Sequence, residues 1–130
     1  MAWTYFHFNS KEFQCRCGCG VGSQIEHIDK ELLEKLCAIR EHVGPMIITS
    51  GARCPRHNQE EGGRPRSAHL TVPGETLCRA VDVQCTNTIA RGELLKLAFQ
   101  QFSRVGLAKT FIHMDVAKGE QYAPVAAWYY

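Results

Sequence analysis

Three segments of this 130-residue chain place a metal-competent side chain inside or beside an apolar run. His69 closes Ser67-Ala-His69, Asp82 interrupts Ala80-Val-Asp-Val83, and His113 and Asp115 interrupt Phe111-Ile-His-Met-Asp-Val116. A carboxylate inside a half-buried strand is costly unless it is paired or bound to a metal. Two imidazoles and one carboxylate are a ligand set of catalytic zinc, which keeps its fourth position for water. Zinc in such a site lowers the pKa of water to about 7 and polarises a substrate carbonyl. The same residues also read as satisfied core histidines and a salt-bridged aspartate, and composition alone leaves both readings open.

Two further groups carry potential chemistry. A short loop holds Arg53, Arg56, Arg64 and Arg66 and faces either an anionic substrate or only solvent. Cys15, Cys17 and Cys19 form a cluster among seven cysteines. Structural zinc uses Cys-x₂₋₄-Cys pairs and four ligands, which Cys-x-Cys-x-Cys does not match well. A fourth ligand would have to come from Cys54, Cys78 or a histidine such as His57, and packed free thiols are the competing reading. Cys37 lies in a helical apolar pattern and Cys85 ends a strand, so both read as small buried hydrophobes.

The elements that must position these groups follow from periodicity and breakers. Residues up to about Ser23 read as irregular. Asp29 is a good N-cap, Leu32, Leu33, Leu36, Ile39 and Val43 recur at helical spacing, and Gly44-Pro45 ends the helix. Met46 to Thr49 reads as a buried strand. From Ser50 to about Cys78 the density of glycine and proline predicts a long loop region. Ala80–Val83 reads as a strand with Ala80 and Asp82 on one face. A second helix is expected from Asn87 or Thr88 to Phe102, with Ile89, Leu94, Leu95, Leu97, Ala98 and Phe102 as its apolar set. Two strands follow, at Val105 to Ala108 and Thr110 to Val116, and Ala126 to Tyr130 could add an edge strand. Alternation puts His113 and Asp115 on one face of their strand and Ile112, Met114 and Val116 on the other. This order predicts an α+β fold with a mostly antiparallel sheet and helices packed against one side.

Composition bounds the rest. The length suits one domain over residues 1–130. No apolar run approaches the roughly 18 residues of a membrane span. A net charge of +2 with scattered basic residues does not favour nucleic acid. The N-terminus lacks the basic start and apolar stretch of a secretory signal, so synthesis in the cytoplasm with reduced thiols is expected. A monomer is expected.

Ser50-Gly-Ala-Arg53-Cys-Pro-Arg-His-Asn58, then Gly62-Gly63, Ser67-Ala-His69-Leu, Arg79-Ala-Val-Asp82-Val and Phe111-Ile-His113-Met-Asp115-Val occur in that order. The set resembles the zinc D-alanyl-D-alanine carboxypeptidase family, which includes phage endolysins and shares its fold with the hedgehog signalling domain. Glu12-Phe13-Gln-Cys15-Arg-Cys17-Gly-Cys19-Gly is similar to the opening of one branch of it. The resemblance implies a hedgehog/DD-peptidase-like fold and one zinc ion on His69, Asp82 and His113. It also implies a peptidase acting on peptidoglycan stem peptides at the bacterial cell wall, as a phage or prophage lysin does. Arg53 would grip a substrate carboxylate or steady an oxyanion, tasks that suit its two-pronged fork. Ser67 either bonds near the metal and substrate or caps a turn.

Two departures matter. Thirteen positions separate His69 from Asp82, where family members usually have seven, so about six residues are added, a cheap insertion for a surface loop. A bulging loop beside the metal is expected, with Glu75 solvated on it. Related enzymes also place an acidic residue three positions before the last histidine, and Thr110 stands there. Asp115 is then the substitute general base, or else it orients His113. A non-catalytic zinc module of the hedgehog type is the alternative to a peptidase.

Overall fold

The computed structural model describes residues 2–130. The segment before residue 24, expected to be irregular, contains short elements. Strands β1 (Thr4–Tyr5) and β2 (Phe8–Asn9) pair as a small antiparallel ribbon. Helix α1 (Ser10–Phe13) follows, opened by a capping box in which Asn9 accepts from the first turn and Glu12 accepts from the Asn9 N–H.

Helix α2 (Lys30–Val43) starts where its sequence signals place it. Asp29 Oδ1 accepts from the Glu31 N–H at 2.9 Å, and Gly44 ends the helix at φ 80°. Leu32, Leu33, Leu36, Cys37 and Ile39 are its buried side chains. Helix α4 (Thr88–Gln101) is capped by Asn87, which accepts from the N–H groups of Ile89 and Ala90. Its apolar set is only partly inward. Leu94 and Ala98 are buried, as is Phe102 just beyond the helix, whereas Ile89 is 77% exposed.

The main sheet has five strands in the order β3-β4-β6-β5-β7: β3 is Ile48–Ser50, β4 Ala80–Gln84, β5 Arg104–Leu107, β6 Phe111–Asp115 and β7 Ala126–Tyr129. All pairs are antiparallel except β5 with β7. The tail therefore does supply an edge strand, and the architecture is the expected α+β. Met46 and Ile47 stay outside β3, and Ile47 is 64% exposed.

Register divides the sheet into two faces. Val81, Met114 and Val105 stand in one row across β4, β6 and β5, with Val83 opposite Ile112, and all five join α2 and α4 residues in the core. Fully burying each such side chain contributes about 1.5–3 kcal/mol. The other face carries polar groups. Ser50, Asp82, His113, Gly106 and Trp128 form one row from β3 to β7, and Ala80, Asp115, Arg104 and Ala126 form the next.

The glycine- and proline-rich region between β3 and β4 is not structureless. Helix α3 (Pro55–Glu60) begins with Cys54 as N-cap and proline in the first turn. The added residues after His69 fold back as a tight turn. Val72 pairs with Thr76, Gly74 takes φ 85°, and Pro73, Gly74 and Glu75 are exposed at the tip. The insertion is thus a compact turn that protrudes at the surface. No helix of the described residues is long and apolar enough to cross a membrane.

Candidate metal centre

His69 Nε2 and His113 Nδ1 converge on the same atom, Asp82 Oδ1, at 3.2 and 2.9 Å. The three side chains come from separate elements. Asp82 and His113 are direct cross-strand partners on β4 and β6. His69 reaches them from the loop, because Arg53 N–H donates to the His69 carbonyl and Thr71 N–H to the Arg53 carbonyl. The buried Thr71 hydroxyl also donates to the His69 carbonyl at 2.9 Å. Ser67 Oγ accepts from the His69 N–H at 3.2 Å, so its hydroxyl shapes the turn that presents the ring.

The outer nitrogen of each ring is already engaged. His69 Nδ1 lies 2.7 Å from the Gly51 carbonyl, which can only accept, so this nitrogen carries the proton. His113 Nε2 lies 2.7 Å from Asp115 Oδ2 and donates to it. In the neutral rings both remaining lone pairs therefore point at an anionic oxygen. Three acceptors meeting at about hydrogen-bond distance repel one another unless a cation lies between them. Zinc with bonds of about 2.0–2.2 Å in a tetrahedron sets its N and O ligands roughly 3.3 Å apart, close to the spacing found. The donor set fits a zinc ion, and its outer partners match the carboxylate–histidine and carbonyl–histidine support common around bound zinc.

When a ring is protonated and no metal is bound, the same contacts become hydrogen bonds to Asp82. Burial alone would raise the Asp82 pKa, but hydrogen bonds to His113 and His69 outweigh it and hold the carboxyl well below its usual range. Burial lowers the His69 pKa despite the nearby Asp82. Burial would also lower that of His113, but bonds to Asp115 and Asp82 prevail and raise it. All three side chains are almost fully buried.

Around this centre lie groups that sequence reasoning named and others it missed. Arg53 is held by its Nε bond to Ser50 Oγ at 3.0 Å, while its two terminal nitrogens make only long contacts, 3.4 Å to Asn58 Oδ1 and 3.5 Å to Asp82 Oδ2. Asp115 Oδ1 accepts from Arg104 Nε at 2.7 Å and from the Ala117 N–H at 3.0 Å. Thr110 lies exposed in the turn before β6, and Glu75 is likewise at the surface. Missed residues include Arg104, Asn58 and Trp128. The Trp128 ring stands 5.3 Å from the His113 ring, centroid to centroid. Gly106 makes room for it, since a Cβ there would come within 2.6 Å of the indole. Gly51 has a similar reason: a Cβ would meet the Phe13 backbone at 2.9 Å.

Among proteins of curated function, none matches the chain significantly. A family model described as Peptidase M15 matches residues 6–115, a span that includes Arg53 and all three converging side chains. That family is zinc-dependent and fits a hedgehog/DD-peptidase-like fold, in keeping with the sheet and the donor set found here. With most of its length matched, the chain belongs to the Peptidase M15 family, which implies a zinc metallopeptidase acting on a peptide substrate.

Proposed function

We propose that this centre hydrolyses a peptide bond next to a D-amino acid in peptidoglycan stem peptides, with His69, Asp82 and His113 holding one zinc ion. The observation that carries the reading is the convergence of two ring nitrogens on one buried carboxylate oxygen beside the Arg53 fork. Bound zinc would supply a Lewis acid for the scissile carbonyl and activate the attacking water. Arg53 has two terminal nitrogens with only weak partners, so it can bind a stem-peptide carboxylate or the oxyanion that develops on the carbonyl. Asp82 Oδ2 lies within reach of the same guanidinium, which ties substrate binding to the metal site.

Asp115 is assigned here to positioning. Its two oxygens are occupied by His113 on one side and by Arg104 and the Ala117 N–H on the other. That engagement supports orientation of His113 over proton transfer from water. Ser67 is assigned to shaping the turn before His69 rather than to the substrate. The site of action on this reading is the bacterial cell wall, as for a phage or prophage lysin, and the chain works as a single domain.

Incubating zinc-loaded protein with purified cell wall, with and without chelator, tests the proposal. Chelator-sensitive release of stem peptide or D-alanine is expected, and no release with zinc bound would sink it. The full engagement of Asp115 also favours a second reading, a hedgehog-type module in which zinc supports folding or binding alone. Zinc-dependent hydrolysis lost in Arg53→Ala with zinc retained would exclude that reading.

A further inference from the structure

The cysteines of this protein fall into two populations. Cys37, Cys78 and Cys85 are buried among apolar residues, as small hydrophobes are. Cys15, Cys17, Cys19 and Cys54 gather in one place, and only Cys15 is buried. Packing of free thiols in a core does not account for the second group, because Cys19 is exposed and Cys17 and Cys54 are partly so.

We propose that Cys15, Cys17, Cys19 and Cys54 bind a second, structural zinc ion through four thiolates. Their sulfur atoms all lie within 4.8 Å of one another, with Cys15 to Cys17 at 3.4 Å and Cys17 to Cys54 at 3.7 Å. A tetrahedron of zinc–sulfur bonds of about 2.3 Å has edges of roughly 3.8 Å. A disulfide needs about 2.05 Å, and every one of these cysteines is free.

The backbone explains how an unpromising spacing reaches this geometry. In a strand, alternate residues point the same way but stand about 6.6 Å apart. Here the chain curls. Gly18 N–H closes a turn onto the Cys15 carbonyl, and Gly18 and Gly20 take φ of 83° and 93°, which a side chain would resist. The fourth sulfur arrives from the start of α3. Backbone N–H groups aim at the sulfurs, Cys54 N at Cys15 Sγ and His57 N at Cys54 Sγ, each at 3.4 Å. Such bonds favour the thiolate, whose sulfur is a better acceptor than that of the thiol. The Arg56 side chain faces Cys17 and would offset part of the 2− charge of a four-thiolate zinc centre. Binding releases the four thiol protons to solvent and changes no oxidation state. The ion would pin the N-terminal segment to residue 54, next to Arg53.

The test is metal analysis of the full chain, purified with reductant and supplied with zinc. Two zinc ions per chain are expected for the native protein, and one each for Cys17→Ser/Cys19→Ser and for His69→Ala. Because the cysteine variant could fail to fold, the native protein and His69→Ala are also loaded with Co2+. Both should then show intense sulfur-to-cobalt charge-transfer absorption. Absence of that absorption, equal zinc content in the native and cysteine-substituted proteins, or a disulfide among these residues under reductant would overturn the proposal.

Discussion

Both oxygens of Asp115 are engaged, and the consequence can be measured on one side chain. Replacing Asp115 with Asn keeps the shape but weakens the grip on the His113 Nε2–H. Loss of such a supporting carboxylate costs about 10–100-fold in metal affinity. We expect that loss in Asp115→Asn by competition with a chromophoric chelator, with turnover near native once zinc saturates the site. A residue acting as general base would show the opposite pattern, affinity kept and turnover lost. The raised pKa of His113 predicts a pH dependence as well. Below that pKa a proton must leave Nδ1 before a metal can bind. Zinc affinity should therefore fall on acidification, by up to about tenfold per pH unit for one displaced proton, and level off above the raised pKa. A flat profile across the histidine range would contradict His113 as a metal ligand.

Elements differ in how far the sequence discloses them. Helix α2 was legible because an aspartate cap, leucines at helical spacing and a terminal glycine all agree. Strands β4 and β6 were legible because polar residues interrupt them at positions that one face shares. Helix α3 was hidden because six residues led by a proline, amid glycines, look like a loop until Cys54 caps them. The two histidines and Asp82 could be named from local motifs. The partnership of Asp115 with Arg104 could not, since it depends on the β5–β6 register and no spacing encodes it. Gly106 illustrates the same limit: its role is visible only once β7 lies beside β5. Gly106→Ala would drive a methyl group to within 2.6 Å of Trp128. Overpacking of this kind costs about 1–3 kcal/mol, and a matching fall in the denaturant midpoint is expected. A neutral substitution would mean that β7 packs less firmly than its register implies.

At the scale of the whole molecule, the metal centre adds a cross-link between the β3–β4 loop and a sheet that backbone bonds already hold together. His69 lies on the loop between β3 and β4, while Asp82 and His113 lie on neighbouring strands of the sheet. The unfolded chain lacks this site, so the binding energy of the ion adds to folding stability. At a free zinc concentration of 1,000 times Kd the gain is about 4 kcal/mol. Thermal unfolding with zinc and after exhaustive chelation should differ accordingly, and coincident curves would argue that the native centre takes no metal. The nearness of Trp128 to His113 has an optical consequence. The chain has two tryptophans, and Trp3 is buried elsewhere, with its indole N–H on the Gly22 carbonyl. Indole emission from Trp128 should therefore be sensitive to what binds at the metal centre. In a Trp3→Phe background, a paramagnetic ion such as Co2+ should quench the remaining fluorescence where zinc does not, giving the protein a built-in gauge of occupancy.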